Sequence, residues 1–213
     1  MNLRHFLSFL VLVPALAGSA AERDLAQASD IASRSLATLR KLAKGTNLTA
    51  LGFRSPSEVD AAAIGQPISV YMVRLDELRA YQTATDPNSL LKPLDKVIFP
   101  VVANKQVLSS IVVEKVNSVW KPTNFGGPLL ARALTKTLEN SSQTNHVAAS
   151  AHFAVQVPAL NAYFIGYRAE GKLLLASVFD DPKMQLTEGT ALPAEEIFSR
   201  LAPIAQRYNG LPL

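Results

Sequence analysis

The chain contains no cysteine in its 213 residues. That absence removes disulfides, thiolate nucleophiles, iron–sulfur clusters, cysteine-based zinc sites and lipid anchoring through a modified cysteine. Histidine is nearly as scarce, with only His5, His146 and His152. The last two fall six positions apart on what reads as one strand. At about 3.3 Å per residue they sit roughly 20 Å apart, too far to share an ion. No metal site and no cofactor are expected. Charge is also sparse: Asp, Glu, Lys and Arg make up 18% of the chain, with a net charge of +4 and a sequence pI near 9.4. No run of Lys and Arg forms the concentrated basic stripe that nucleic-acid binding requires, so nucleic acid is not an expected partner.

The familiar catalytic signatures are missing too. No G-x-S-x-G occurs, and Ser109 and Ser110 fall in mid-strand, where a nucleophile elbow cannot form. The carboxylate pairs Asp76/Glu77, Asp180/Asp181 and Glu195/Glu196 are adjacent in sequence, so their side chains diverge. Gly126-Gly127-Pro128 opens a helix but lacks phosphate-loop spacing, although its backbone N–H groups could seat an anion.

Apolar residues, at 48%, supply ample material for a core. The first of them read as a secretory signal peptide over residues 1–20. Arg4 gives a positive start, Phe6 to Leu16 an apolar stretch, and Ala15-Leu16-Ala17 or Gly18-Ser19-Ala20 a small-residue cleavage site. The apolar stretch falls short of the roughly 20 residues a membrane-spanning helix needs, and no later segment approaches that length. A periplasmic or secreted location follows as the expectation. Residues 21–213 are expected to form a single α+β domain, with possible sub-units 21–95, 96–145 and 146–213.

Within that region, Ala21 to Lys44 carries Leu25, Ala28, Ala32, Leu36, Leu39 and Ala43 on one helical stripe. Ser55-Pro56-Ser57-Glu58 is a helix start with a capping-box pattern. Ile68 to Arg74 reads as a strand, and Leu75 to Tyr81 as a turn or two of helix. The densest β-branched content lies in Val97 to Phe125, which reads as three antiparallel strands turned at Asn104-Lys105 and Asn117-Ser118. Pro100 cannot donate to a ladder, so its strand is expected to be an edge strand or to be bulged there. A helix follows from Pro128, then a polar loop, Asn140 to Asn145. His146 to Val157 alternates as a half-buried strand with both histidines on its polar side, at the surface or rim. Strands over Ala162–Arg168 and Leu173–Phe179 and a helix from Pro193 complete the chain. The fold expected is therefore α+β, with mostly antiparallel sheet built from two three-strand-plus-helix units and an N-terminal helix.

The segments Gly65-Gln66-Pro67, Val70-Tyr71-Met72-Val73, Leu75-Asp76-Glu77-Leu78 with Tyr81, Val97 to Val101, Ser109-Ser110-Ile111 and Trp120 to Gly126 resemble a group of secreted bacterial proteins of uncharacterised function. The resemblance covers roughly Phe53 to Gly126. It implies export and a small α+β fold, and it brings no activity or site residues. The order of elements is also similar to PepSY-type and propeptide-like domains, where strand–helix units bind or inhibit a protease.

These readings favour an exported, non-catalytic binding or interaction protein, whose partner is another exported protein or a small ligand. Trp120, Tyr163, Tyr167 and His152 are the candidate ligand-binding residues, the aromatics as a groove or face together with Tyr71. Two alternatives stand beside it: a small-ligand carrier using that groove, and an exported hydrolase with His152 as general base.

Overall fold

The computed structural model describes residues 20–210. The expected signal peptide therefore lies, except for Ala20, outside the described residues. The first helix, α1 (Ala20–Leu42), buries Ala28, Ala32, Ser35 and Leu39. The Ser35 hydroxyl can be buried because it donates to the Ile31 carbonyl one turn back. Two short helices follow, α2 (Asn47–Ala50) and α3 (Pro56–Asp60). Ser55 caps α3 by accepting from the Glu58 N–H. The Glu58 carboxylate reaches back one residue further than a capping box would, to the Arg54 N–H at 2.6 Å.

Strands β1 (Ala63–Ile64) and β2 (Ile68–Met72) lead through α4 (Leu75–Arg79) to a long meander. The meander comprises β3 (Lys92–Ala103), β4 (Gln106–Val116) and β5 (Val119–Phe125). After α5 (Pro128–Asn145) come β6 (Phe153–Val157), β7 (Ala162–Ala169), β8 (Lys172–Ser177), β9 (Ala191–Pro193) and α6 (Ala194–Arg207). Both residues of the Asn104-Lys105, Asn117-Ser118 and Glu170-Gly171 loops have positive φ. That is the turn geometry whose twist matches paired strands, so register is set locally at three hairpins.

The strands form one sheet in the order β5-β4-β3-β2-β6-β7-β8-β9, with β1 pairing β3. Every pairing is antiparallel except β2 with β6. The chain is thus α+β and mostly antiparallel, with two strand-plus-helix units and an N-terminal helix. The second unit has one strand more than the three expected, β9, and the first is extended by β2, the strand expected from Ile68, with β1 also pairing β3. The units meet through their first strands in mirrored order. A parallel junction with mirrored order corresponds to a pseudo-twofold axis lying in the sheet along the strands. That operation puts α5 and α6 on opposite faces. On one face α5 packs over Ile68, Val70, Ile98, Ala154 and Ile165. On the other, α1 covers Val97, Phe99, Val101, Ile111 and Val113, while α6 covers Phe153, Val155, Phe164 and Leu175.

Three expectations need correction. Pro100 is not on an edge: β3 lies inside the sheet, with Pro100 opposite Ser110 of β4. Its other neighbour changes at this point from β1, at Val101, to β2, at Ile98. The Pro100 carbonyl accepts from the Gly65 N–H at 2.7 Å in the link between them. The proline nitrogen, on the same side of the strand, therefore sits where no ladder partner is required. The other alternative expected for this strand, a bulge, is present beside the proline as a register shift against β4 between Val101 and Val102. Second, Asn140–Asn145 is not a loop but the last turns of α5, ended by His146 in the left-handed region at φ 54°. Asn145 bonds back to the Ser141 carbonyl, and the Ser142 hydroxyl bonds to that of Val147. Third, β6 begins only at Phe153. The Ala-rich stretch before it forms a 3₁₀ turn (Ala149–Ala151), and His152 is buried, not at the rim.

Candidate functional site

The candidate site lies on the α5 face of the sheet. Residues opposite one another across the sheet form two rows on it: Asn124–Val112–Ile98–Ile68, and Val70–Ala154–Ile165. A third row, Met72–Gln156–Tyr163, lies at the C-terminal ends of the parallel pair. The start of α5 is fixed against β4. The Gly126 N–H donates to the Ser110 carbonyl at 2.9 Å, and the Ser110 hydroxyl donates to the Gly126 carbonyl at 2.6 Å. Gly127 then takes a left-handed conformation at φ 63°, and Pro128 opens the helix. From there α5 runs across the sheet to reach β7 and β8.

This path leaves a groove beside the helix, a cavity of about 170 Å³. Val70, Ile98, Val112 and Ala154 form its floor; Leu130, Ala131 and Leu134 form the helical wall. Lys96, Asn124, Gln156 and Tyr163 supply its polar positions. The topology explains why it is open. After β2 the chain turns away to β3, and after β6 it turns the other way to β7. Both connections pack their apolar residues, Leu78, Leu90 and Leu160, into the cluster under α6 on the opposite face. Divergent connections at neighbouring parallel strands leave a crevice, the same geometric cause that places ligands at switch points of open sheets.

The four candidate residues do not converge. Tyr163 lines the groove, edge-on to Phe179 with ring centroids 6.3 Å apart. Trp120 is on the opposite face, under α1. Asp24 of α1 accepts from the Trp120 indole N–H at 3.4 Å and pairs with Lys115 at 3.1 Å. These two bonds hold its carboxyl below the usual carboxylate range. Trp120 thus anchors α1 to β4 and β5.

His152 and Tyr167 pack together beneath the last turns of α5, with ring centroids 5.0 Å apart. His152 Nδ1 is 3.0 Å from the Ala148 carbonyl, which can only accept, so Nδ1 carries the proton. Nε2 is then free to accept from the Ser141 hydroxyl at 3.1 Å. Burial pushes the imidazole below its ordinary value, partly opposed by the bond to Ala148. Sequence spacing ties no serine to His152; helix α5, continuing past Asn140, brings Ser141 to it. A serine–histidine bond of this kind can activate a nucleophile. Here Ser141 is 6% and His152 4% exposed, and neither lines the groove. The Tyr167 hydroxyl beside them is buried without a hydrogen-bond partner. Tyr167→Phe keeps the ring and removes that desolvated group, so it should stabilise the fold by about 1 kcal/mol in urea unfolding. A loss of stability would show that the hydroxyl is bonded in solution.

Among the described residues, no group of His, Asp and Glu is arranged to hold a metal ion, and no helix is long and apolar enough to cross a membrane. Comparison with known protein families, characterised proteins and solved structures finds no match to this chain.

Proposed function

We propose that the chain is an exported, non-catalytic binding protein whose ligand occupies the groove between α5 and the sheet. The observation that carries this reading is the cavity left over an apolar floor at the β2/β6 junction, ringed by polar side chains. The groove lining contains a single ammonium, one phenol, two carboxamides and the Ser110 hydroxyl, which already donates to the Gly126 carbonyl; this is a recognition set and not an acid–base pair. The hydrolase alternative has the Ser141–His152 bond in its favour and loses to the burial of both groups. Export rests on the apolar stretch Phe6 to Leu16 and the small residues after it.

Ala154 on the floor and Ala131 on the helical wall are 3% and 1% exposed and can each be enlarged into the empty space. Protein isolated from cells that export it should carry a low-mass adduct in native mass spectrometry. Ala154→Leu and Ala131→Leu should each lose the adduct while melting within a few degrees of wild type, as expected when added methyls enter a void. A wild-type chain without an adduct, or an adduct that survives both substitutions, overturns the proposal.

A further inference from the structure

We infer that the groove selects an uncharged ligand, of about the size of one aromatic ring and bearing a hydrogen-bonding oxygen. This rests on the reading of the groove as the binding site and concerns what fits it.

Size comes first. A cavity of about 170 Å³ is close to the roughly 150 Å³ void that is known to hold benzene in another protein. Floor and wall are aliphatic, so the buried body of the ligand is apolar. Charge decides the rest. The one cation in the lining, Lys96, has its ammonium 3.1 Å from the Glu114 carboxylate, with the side chains 27% and 34% exposed. The two stand directly opposite each other on β3 and β4. Together they present no net charge. A ligand carboxylate near Lys96 meets Glu114, and a ligand ammonium near Glu114 meets Lys96. Either would have to break an existing pair to bind.

The remaining polar groups need no charge on the ligand. The carboxamides of Asn124 and Gln156 and the phenol of Tyr163 have no hydrogen-bond partner among the described residues. Each can both donate and accept, which suits a hydroxyl or a carbonyl. The first turn of α5 adds a partial positive potential, enough to favour an acceptor oxygen and short of a full charge. An alcohol, phenol or amide on a ring-sized body therefore satisfies the site.

The test is an amide-detected NMR titration of the full chain with benzyl alcohol, benzoate and benzylammonium. Benzyl alcohol should bind at least about tenfold more tightly than either ion and shift the Ala131 and Ala154 amides, tenfold being about 1.4 kcal/mol. Glu114→Gln releases Lys96 from its partner and should cancel most of that difference, with benzoate gaining about tenfold on benzyl alcohol, about 1.4 kcal/mol. Benzoate binding to wild type as tightly as benzyl alcohol overturns the inference and leaves the groove as the site. If none of the three shifts those amides, the groove itself is not the site.

Discussion

Gly52→Ala is expected to cost about 3 kcal/mol or more of unfolding free energy, lowering the melting temperature by about 10 °C for a chain of this size. Two effects add. Gly52 has φ +95°, where an L-residue with a Cβ is strained by roughly 1–2 kcal/mol. A Cβ there would also overlap the Leu108 carbonyl oxygen, far inside van der Waals contact, and fall 2.8 Å from the Pro128 Cβ. Both neighbours are fixed. Leu108 belongs to the interior of β4, and Pro128 is the first residue of α5. The added methyl must therefore push the helix start away from the sheet. Gly45 provides the control, since it has φ +54° with nothing within 4 Å of its added Cβ. Gly45→Ala should cost only the conformational strain. Equal melting of the two variants would show that the close packing of Gly52 contributes nothing. Because Pro128 begins the wall of the groove, Gly52→Ala should also weaken whatever binds there.

Gly52 also shows where sequence reading stops. Nothing in Leu51-Gly52-Phe53 distinguishes a glycine at an ordinary turn from one pressed against a strand 56 positions later. The hairpins at Asn104-Lys105 and Asn117-Ser118 were legible because their determinants are local: runs rich in β-branched residues flank short polar pairs. The stripe of α1 was legible because its spacing carries the helical period. The segment His146 to Val157 misled for the opposite reason. Its alternation of apolar and polar residues is real, yet the small Ala148, Ala149 and Ala151 give little strand preference. Helix α5 instead continued over Asn140–Asn145, a stretch whose Ser and Asn residues bond back to the backbone instead of ending the helix.

The candidate site was less legible than the fold. The groove depends on which strands become neighbours, and the β2/β6 pairing joins residues 84 positions apart in sequence, Val70 with Ala154. Aromatic residues drew attention because they bury large areas, but three of the four candidates turned out to sit away from the groove. Its floor is made of small aliphatics and its rim of amides, residue types that carry no signal in a single sequence. Pro100 illustrates the same limit from another side. That a proline must avoid a donor position is local chemistry, whereas the way it does so, by facing the gap between β1 and β2, belongs to the topology.

The cluster under the end of α5 yields the second large effect, which depends on pH. His152 is 96% removed from solvent by the complement of its 4% exposure, and burial holds its pKa below the ordinary 6.5. Above the ordinary value, native and unfolded chains both keep the imidazole neutral, and its contribution to stability is complete. As pH falls below that value, the unfolded chain takes up a proton that the native chain refuses. Stability is then lost at up to about 1.4 kcal/mol per pH unit, levelling off only below the native pKa. Asp24, Glu58, Asp76 and Asp86, held below their usual 3.8 or 4.5 by hydrogen bonds and ion pairs, lose their contributions at lower pH still. The interval from about 6.5 to 5 thus reports on His152. His152→Gln should lower stability at pH 7 by about 2–3 kcal/mol, through lost packing on Tyr167 and an unpaired Ser141 hydroxyl. It should also flatten the urea-unfolding stability profile between pH 6.5 and 5. An identical slope in His152→Gln and wild type would mean that water reaches the imidazole in the native state. The Ser141–His152 pair would then be open to a substrate, and the hydrolase reading would regain its footing. A steep wild-type slope that His152→Gln removes means a sealed pair, whose hydrogen bond closes α5 over β6 and leaves ligand chemistry to the groove.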